Sequence, residues 1–300
     1  MKLRASYWTW KIINGQMDVA KMPTAYLMLD GKCAYDCAYC THARNSKTDG
    51  RFLSRIVWKE IETSCLLKFS VFRRVCLQVV NYPKAHQDAL TVVTSLNDAL
   101  SKSPEIRPLI SVSTRVSNLK HVTKYFEAGV DNLGIALDVA DPELFKRFRG
   151  GNFERTIELI LEASKIFPGR ITTHLIVGLG ETDAQIFEIF KLLKTYGVEV
   201  ALFAFTPVRG TRLEGNPAPS LSRYRKIQLL RFLIFESGVE PKISFDENGY
   251  ITHLEMPPEL TEEASRRAYL TSGCTYCTRP YYNDRPTSQE LFNLFEEVTG

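Results

Sequence analysis

Three cysteines stand close together in the run C-A-Y-D-C-A-Y-C, as Cys33, Cys37 and Cys40. Thiolates at this spacing can wrap one loop around three irons of a cubic 4Fe–4S cluster, which leaves the fourth iron without a protein ligand. Such an open iron can bind and activate a small molecule. A structural zinc site needs four ligands, and a disulfide would leave one thiol over. The spacing therefore favours an iron–sulfur cluster, with a zinc knuckle or surface thiols as the alternative.

The elements that must position these cysteines alternate between strands and helices. The apolar run at residues 25–29 precedes the cysteine loop at 31–42, which places this loop at the C-terminal end of a strand. Further strand-like runs lie near 74–80, 109–113, 132–138, 171–177, 198–205 and 241–245, and helical patterns lie near 55–67, 86–101, 117–127, 141–147, 152–166, 182–196 and 220–236. This alternation predicts an α/β fold, either a (β/α)8 TIM-type or a nearly closed (β/α) barrel, with its active site at the C-terminal ends of the strands. A doubly wound open sheet is the alternative.

Length and composition fit a single-domain enzyme. The chain has 300 residues, of which 44% are hydrophobic, enough for a large core. We expect one barrel over residues 25–280, a helical extension at 1–24 and a C-terminal helical tail at 281–300. The net charge of +4 lacks a dense basic stripe, and no apolar run is long enough for a membrane span or a signal peptide. Grouped cysteines indicate a reducing compartment, so we expect a cytoplasmic protein without nucleic-acid or membrane partners.

The C-x3-C-x2-C motif, with the aromatic Tyr39 before its last cysteine, resembles the radical S-adenosylmethionine (SAM) superfamily. This resemblance implies that the open iron binds the amine and carboxylate of SAM. It also implies that an electron from the cluster cleaves SAM to a 5′-deoxyadenosyl radical, with a ferredoxin or flavodoxin as electron donor. The cofactor carries this step, while the protein supplies orientation and excludes water.

The resemblance assigns SAM-binding roles to residues near the later strand ends. Asp138 keeps half of the family's Asn-x-Asp pair and can accept hydrogen bonds from a ribose diol. Arg155 matches a position that pairs with the SAM carboxylate, and Arg149 is a second candidate. The run T-H-L-I-V-G-L-G-E-T is similar to the family's G-x-I-x-G-x-x-E motif, with His174 in place of the first glycine; we interpret this histidine as a core residue. The expected cofactor-binding residues are Tyr39, Asp138, Arg155, Ile176, Gly178 and Glu181, and no catalytic residue is assigned.

A second group of cysteines resembles the auxiliary cluster sites of the biotin synthase and lipoyl synthase branch. Cys274 and Cys277 form a C-x-x-C pair, which can bind a cluster, form half of a zinc site or act as a redox dithiol. Cys76 lies where biotin synthase has a cluster ligand, although a packed core thiol is the ordinary explanation for one cysteine. We expect these three to hold an auxiliary iron–sulfur cluster at the same mouth as the triplet. Arg279 and Arg285 lie nearby in the sequence. Each can be a further cluster ligand, a group that binds a carboxylate, or a solvated side chain.

The cysteine pattern looks most like the split, two-protein lipoyl synthases. The chain lacks the N-terminal C-x4-C-x5-C motif of single-chain lipoyl synthases and the third- and fifth-strand cysteines of biotin synthase. The resemblance implies a sulfurtransferase that abstracts hydrogen from an unactivated C–H bond and inserts sulfur from the auxiliary cluster. The expected substrate is an octanoyl chain on a lysine of a carrier protein or lipoyl domain, with a second radical SAM subunit as partner.

Two other classes of protein fit the same residues. One is a biotin synthase-like or other radical SAM enzyme of this branch, such as a methylase, a mutase or a cofactor-assembly enzyme that transfers no sulfur. The other is a zinc-stabilised interaction protein without activity. The appearance of cluster sulfide in the product would separate sulfur insertion from the first class. Metal analysis of the anaerobic protein tests the second class, and it also counts the clusters, because two cubanes give about eight irons per chain and the SAM cluster alone gives about four. Zinc without iron indicates the interaction protein.

Overall fold

The computed structural model describes residues 2–102 and 107–294. The strands are β1 (Lys2–Ser6), β2 (Thr24–Asp30), β3 (Phe52–Leu53), β4 (Ile56–Ile61), β5 (Arg74–Val79), β6 (Leu109–Thr114), β7 (Asn132–Ile135), β8 (Ile171–Val177), β9 (Glu199–Ala204), β10 (Ile243–Phe245) and β11 (Ile251–Leu254). The α-helices are α1 (Tyr7–Ile13), α2 (Ala85–Leu100), α3 (Leu119–Glu127), α4 (Pro142–Leu144), α5 (Phe153–Ile166), α6 (Asp183–Thr195), α7 (Leu221–Arg231) and α8 (Thr261–Arg267). Short 3₁₀-helices cover Val19–Lys21, Thr63–Val71 and Pro258–Leu260, and π-helical turns cover Phe145–Arg149 and Phe232–Ser237.

Nine strands form one sheet in the order β3-β4-β1-β2-β5-β6-β7-β8-β9. Neighbouring strands from β2 to β9 run parallel, while β1, β3 and β4 add an antiparallel edge. The sheet curls into a half-barrel in a single α/β domain, and its edge strands β3 and β9 do not pair with each other. The predicted fold class, an α/β nearly closed barrel, is confirmed, with six parallel strands rather than eight.

The buried strands and capped helices follow from local sequence. β2 (T-A-Y-L-M-L-D) is buried along six of its seven residues, as expected where helices cover one face and the barrel interior the other. Several crossover helices begin at side-chain caps, including Asn118 before α3, Asn152 before α5 and Thr182 before α6. Each cap contributes about 1 kcal/mol to helix stability. Most strands and helices share one large apolar core, and a smaller separate cluster packs Ala264 of α8 against Phe232 and Leu233.

The N-terminal segment differs from the predicted helical extension. Residues 2–6 form β1, which pairs with β2 and β4, and only α1 is an α-helix before residue 24. Arg4 explains part of this pairing, because its Nε donates to Asp30 Oδ2 on the neighbouring strand (2.6 Å). The helix predicted at 55–67 is also wrong, since the β-branched and aromatic run I-V-W begins β4 instead.

The chain after the parallel strands also departs from prediction. The strand predicted at 241–245 pairs with β11 in a separate hairpin, because the Asn248-Gly249 turn favours this connection. The described part of the predicted C-terminal helical tail, residues 281–294, forms turns and bends. Asn283 holds this segment by donating to Ala204 O (2.6 Å), and Pro286 disfavours a helix through it. Residues 295–300 lie outside the described residues. No described helix has the length and apolar character that crossing a bilayer requires.

Candidate functional site

A cavity of about 300 Å³ inside the half-barrel brings together all the cysteines predicted as cluster ligands. Its lining includes Cys33, Cys37, Cys40, Cys76, Cys274 and Cys277. All of them are free and half-buried, and none forms a disulfide. From the predicted SAM-binding set, Tyr39, Asp138 and Ile176 line the same cavity. The tertiary structure therefore brings the Cys274–Cys277 pair to the same cavity as Cys76 and the triplet, which all lie in the first third of the chain.

The loop that carries the triplet is fixed by backbone contacts across the barrel. It leaves the end of β2, and its Ala34 N donates to Asn81 O beyond β5 (2.7 Å). Ala38 N donates to Phe148 O (2.6 Å). Cys37 is close to two guanidinium-bearing residues, since its Sγ lies 3.6 Å from Arg149 O and 3.9 Å from Arg115 Nη1. These contacts hold the thiols at the C-terminal edge of the sheet, as predicted.

The environment of the triplet favours a bound cation. Burial raises the pKa of the Cys37 thiol, and the nearby Asp138 carboxylate raises it further. Burial and the neighbouring Cys37 likewise raise the pKa of Cys40. Crowded, buried thiols of this kind ionise readily only beside a positive charge, such as iron. The donor set therefore fits an iron–sulfur cluster.

Among the described residues, no three His, Cys, Asp or Glu side chains converge on a point where one metal ion would bind. Such convergence is required of a mononuclear site. In a cubane each thiolate binds a different iron, so the thiolates are spaced more widely around the cluster.

Asp138 is the centre of a hydrogen-bond network beside the triplet. Its Oδ2 accepts from Tyr39 OH (2.7 Å) and Arg149 Nε (3.0 Å), and its Oδ1 lies 2.7 Å from His174 Nε2. Burial acts to raise the pKa of this carboxyl. His174, the Arg149 guanidinium and the Tyr39 hydroxyl together hold that pKa well below its ordinary value. Asp138 is thus a fixed carboxylate facing the cavity.

His174, which the sequence predicts to be a core residue, has a more specific place in the structure. It lies on β8, lines the cavity and binds Asp138, while its ring packs edge-on against Phe203 with centroids 5.3 Å apart. The sequence feature that could have indicated this role is the position of His174, because it replaces the first glycine of the motif, two residues before the cavity-lining Ile176.

Gly178 and Glu181 shape the loop after β8 and do not line the cavity. Glu181 is buried and accepts from Gly178 N (2.8 Å) and Leu179 N (2.9 Å), and Arg223 pairs with it (3.0 Å). Gly178 has φ +105°, and a Cβ there would lie 2.7 Å from Pro219 Cδ. Only glycine fits this position, so the motif is used for loop geometry.

Arg155, predicted to pair with the SAM carboxylate, is exposed on α5 and lies outside the cavity lining. The guanidiniums near the triplet belong to Arg149, the second candidate, and Arg115, which the sequence reasoning missed. Arg115 follows β6 directly, and its guanidinium lies 3.9 Å from the centre of the Tyr35 ring. Its place just after a predicted strand was the available signal.

The second cysteine group lies at the opposite end of the same cavity. Cys76 faces Cys274 and Cys277; burial, followed by the charges of these two neighbours, raises its pKa to about 12. The C-x-x-C turn packs against the N-terminal ends of the strands. Arg74, the first residue of β5, donates from Nε to Thr275 O (2.8 Å). The prediction that this turn opens at the same mouth as the triplet is therefore wrong.

Tyr26 and Arg279 complete the surroundings of this turn, and no motif in the sequence marks Tyr26. Tyr26 OH accepts from both Thr278 N and Arg279 N (2.9 Å each) and lies 3.6 Å from Cys277 Sγ. The Arg279 guanidinium lies 3.9 Å from the centre of the Phe203 ring, and its buried Nε has no hydrogen-bond partner in the described part of the chain. Arg285 is exposed and lies outside the cavity lining.

Comparison with known proteins agrees with this architecture. A model of the radical SAM superfamily matches residues 30–193. A GTP 3′,8-cyclase from Limosilactobacillus fermentum is 30% identical over 125 residues, which are 40% of this chain and 37% of that protein. A lipoyl synthase from Chloroflexus aggregans is 27% identical over 179 residues, which are 58% of this chain and 56% of that protein. The matches thus span at most about half of these relatives, and they do not specifically support the lipoyl synthase branch.

Among solved structures, HydG, a maturase of the FeFe-hydrogenase, is similar with a TM-score of 0.58 and 12% identity. The similarity covers 71% of this chain and 50% of that one. At this identity the comparison concerns the fold alone.

Proposed function

Because the chain belongs to the radical SAM superfamily, a family of enzymes that use a 4Fe–4S cluster and SAM, we propose that it inserts sulfur into an unactivated C–H bond. One observation carries this proposal: two groups of three cysteines lie at opposite ends of one cavity. A substrate held between them would have a radical-generating site on one side and a sulfide source on the other.

Cys33, Cys37 and Cys40 would hold the SAM cluster, which together with SAM supplies a radical that abstracts hydrogen. Arg115 and Arg149 lie beside these thiols and offer positive charge for a carboxylate. Asp138, held ionised and oriented by Tyr39, Arg149 and His174, can accept hydrogen bonds from a hydroxyl or amine. Because these groups are fixed before binding, little reorganisation is needed when SAM enters.

Cys76, Cys274 and Cys277 would hold the auxiliary cluster at the far end. The nearby Arg279 guanidinium, whose Nε has no hydrogen-bond partner among the described residues, is available to face such an anionic centre. Between the two groups the cavity wall is apolar in part, with Met28, Ile176, Phe203 and Phe205 among its residues. Such a lining suits an alkyl chain and keeps water from a reactive radical.

We assign an octanoyl chain on a lysine of a carrier protein or lipoyl domain as the substrate. The apolar lining and the similarity to a lipoyl synthase support this assignment. Each enzyme of this kind would insert one sulfur, so a second radical SAM subunit would complete the product, and a ferredoxin or flavodoxin would supply electrons.

The similarity to a GTP 3′,8-cyclase favours a second candidate function, a radical SAM reaction on a nucleotide without sulfur transfer. The two candidates differ in their product. Sulfur insertion consumes sulfide from the auxiliary cluster, whereas a cyclisation leaves all sulfide in the protein.

The test is single-turnover reaction of the anaerobically reconstituted protein with an octanoyl-lysyl peptide, SAM and a reductant. We expect a thiolated peptide by mass spectrometry and a matching loss of protein sulfide. Cys274→Ala should continue to form 5′-deoxyadenosine and make no thiolated peptide, and Cys65→Ala, outside the cavity, should behave as the parent chain. Thiolated product from Cys274→Ala would contradict the proposal, as would GTP turnover with no reaction of the peptide.

A further inference from the structure

A second groove, of about 1340 Å³, opens between the two edges of the half-barrel. Phe52, residues 54–57 and Lys59, from β3, β4 and the turn between them, form one wall, and residues 207–210, following β9, form the other. Ser54 and Val208 line both this groove and the cysteine-lined cavity, so the two spaces adjoin. The groove is therefore the natural approach to the reaction cavity from the side where the sheet is open.

The groove contains several cations that form no salt bridge within the described ranges. Its cationic lining residues are Lys47, Arg55, Lys59, Arg209 and Arg285, and none of them forms a salt bridge with another described residue. The Nε of Arg55 is buried and has no hydrogen-bond partner within the described ranges. Burial and then repulsion by Arg285 lower the Arg55 pKa, partly offset by Asp284. An anionic ligand would relieve this repulsion.

The groove lining has three carboxylates, and none of them forms a salt bridge with a groove cation in the described part of the chain. Asp49 pairs with Arg51 (2.7 Å), which lies outside the groove lining. Glu214 accepts from Gly210 N (2.6 Å), and Asp284 accepts from Phe292 N (2.9 Å). The groove lining thus has more cations than carboxylates, and Asp284 offsets the charge of Arg55 only in part.

Size and lining indicate the kind of anion. Pockets for small ligands usually enclose about 300–1,000 Å³, less than this groove. Trp8, Phe52 and Pro207 add flat apolar surface next to the cations. Aromatic and arginine side chains side by side are typical of surfaces that bind polypeptide.

We propose that this groove binds an acidic peptide segment of the substrate-bearing protein, so that the modified lysine passes Ser54 and Val208 into the cavity. The inference rests on the proposed function, which requires a protein-borne substrate, and it adds the chemistry by which that protein is recognised. The groove would increase the affinity for the substrate-bearing protein and the salt-dependent rate of its association, while the cavity would bind the acyl chain.

Fluorescence anisotropy with labelled peptides of equal length, each with a central octanoyl-lysine, tests this proposal. One peptide carries flanking glutamates and the other flanking glutamines. At low salt we expect the acidic peptide to bind about tenfold more tightly or better, and this advantage to shrink as the Debye length falls with added salt. Arg55→Glu combined with Arg285→Glu should remove the advantage. Arg266→Glu combined with Lys120→Glu, the same change of charge at two exposed positions outside the groove, should retain it.

Equal affinity for the two peptides would overturn the proposal, as would an acidic preference that survives the double reversal. Tripolyphosphate or GTP that binds more tightly than the acidic peptide and depends on the same arginines would assign the groove to a phosphate-bearing small molecule instead. Circular dichroism of the double variant checks that it is folded. These results are separate from the sulfur-insertion test: peptide binding without thiolation contradicts only the proposed function, and thiolation that ignores peptide charge contradicts only the groove.

Discussion

At the scale of single residues, the site depends on how Asp138 is held. The residue has φ +68°, in the left-handed region that costs an ordinary side chain roughly 1–2 kcal/mol. Donors from the cluster loop, from the segment after α4 and from β8 all converge on its carboxylate. This convergence offsets the strain and fixes the distance between the cysteine triplet and β8. Tyr39, Arg149 and His174, which surround the predicted SAM site, are thus connected through the Asp138 carboxylate.

Loss of one triplet thiol should remove the radical-generating site. We expect Cys40→Ala to abolish 5′-deoxyadenosine formation and to lower iron from about eight to about four per chain, because a cubane needs its protein ligands. Liquid chromatography of the nucleoside and iron analysis measure both effects. Cys65→Ala is the matched control, since Cys65 lies outside the cavity. SAM cleavage that persists in Cys40→Ala would refute the assignment.

His174 can be tested as a positioning residue for Asp138. His174→Leu leaves the buried Asp138 with fewer donors, so we expect the free energy of unfolding to fall by about 1–3 kcal/mol. His174→Gln keeps a donor and should recover most of this loss. Urea unfolding measures the stability, and the KM for SAM should rise in the leucine variant and recover in the glutamine variant. If the leucine and glutamine variants have the same free energy of unfolding and the same KM for SAM, the hydrogen bond to Asp138 is unimportant.

At the scale of elements, a loop and a turn close the two ends of the half-barrel. The triplet loop is joined to the C-terminal ends of the strands, whereas the Cys274–Cys277 turn is joined to their N-terminal ends. Gly273 permits the close approach of this turn to β9, with φ +130° and a Cβ position only 3.1 Å from the Ala201 Cβ. The strands between them set the separation of the two cysteine groups, so that separation is a property of the sheet.

Tyr26 links the turn to β2, and its hydroxyl can be removed without changing any cysteine. Tyr26→Phe leaves two backbone N–H groups, those of Thr278 and Arg279, without this acceptor, at a cost of about 1–3 kcal/mol. We expect weaker retention of the auxiliary iron, with SAM cleavage preserved. Iron analysis after a chelator challenge measures the effect, with the exposed Tyr250→Phe as control. Equal iron retention in both variants would contradict the role given to Tyr26.

At the scale of the whole molecule, stability should depend on pH through the packing of α2 against α3. The rings of His86 and His121 lie 4.1 Å apart. Burial, followed by the charges of His121 and Lys124, lowers the pKa of His86 from 6.5 to about 4. The unfolded chain therefore takes up a proton at higher pH than the folded chain. The contribution of neutral His86 is complete above about pH 6.5 and is lost as the pH falls toward about 4.

His86→Gln should make this part of the pH dependence smaller. Urea unfolding of the parent chain at about pH 7 and about pH 5 should show a loss of stability on acidification, because the unfolded state binds more protons in this range. The His86→Gln variant should lose less stability on acidification. The control His253→Gln, at an exposed position on β11, should lose as much stability as the parent chain. An identical loss in all three chains would rule out His86 as a source.

The sequence alone determined the properties that depend on neighbours along the chain. The spacing of Cys33, Cys37 and Cys40 indicated a cluster loop, and the alternation of apolar runs and helical patterns indicated the α/β barrel. Only the tertiary structure decided which side chains meet across the sheet. It brought Arg115 into the cavity instead of Arg155, and it placed the Cys274–Cys277 turn at the N-terminal end of the strands. These outcomes depend on contacts such as Arg74 with Thr275, across 201 residues, which no local pattern encodes because packing of the complete sheet selects them.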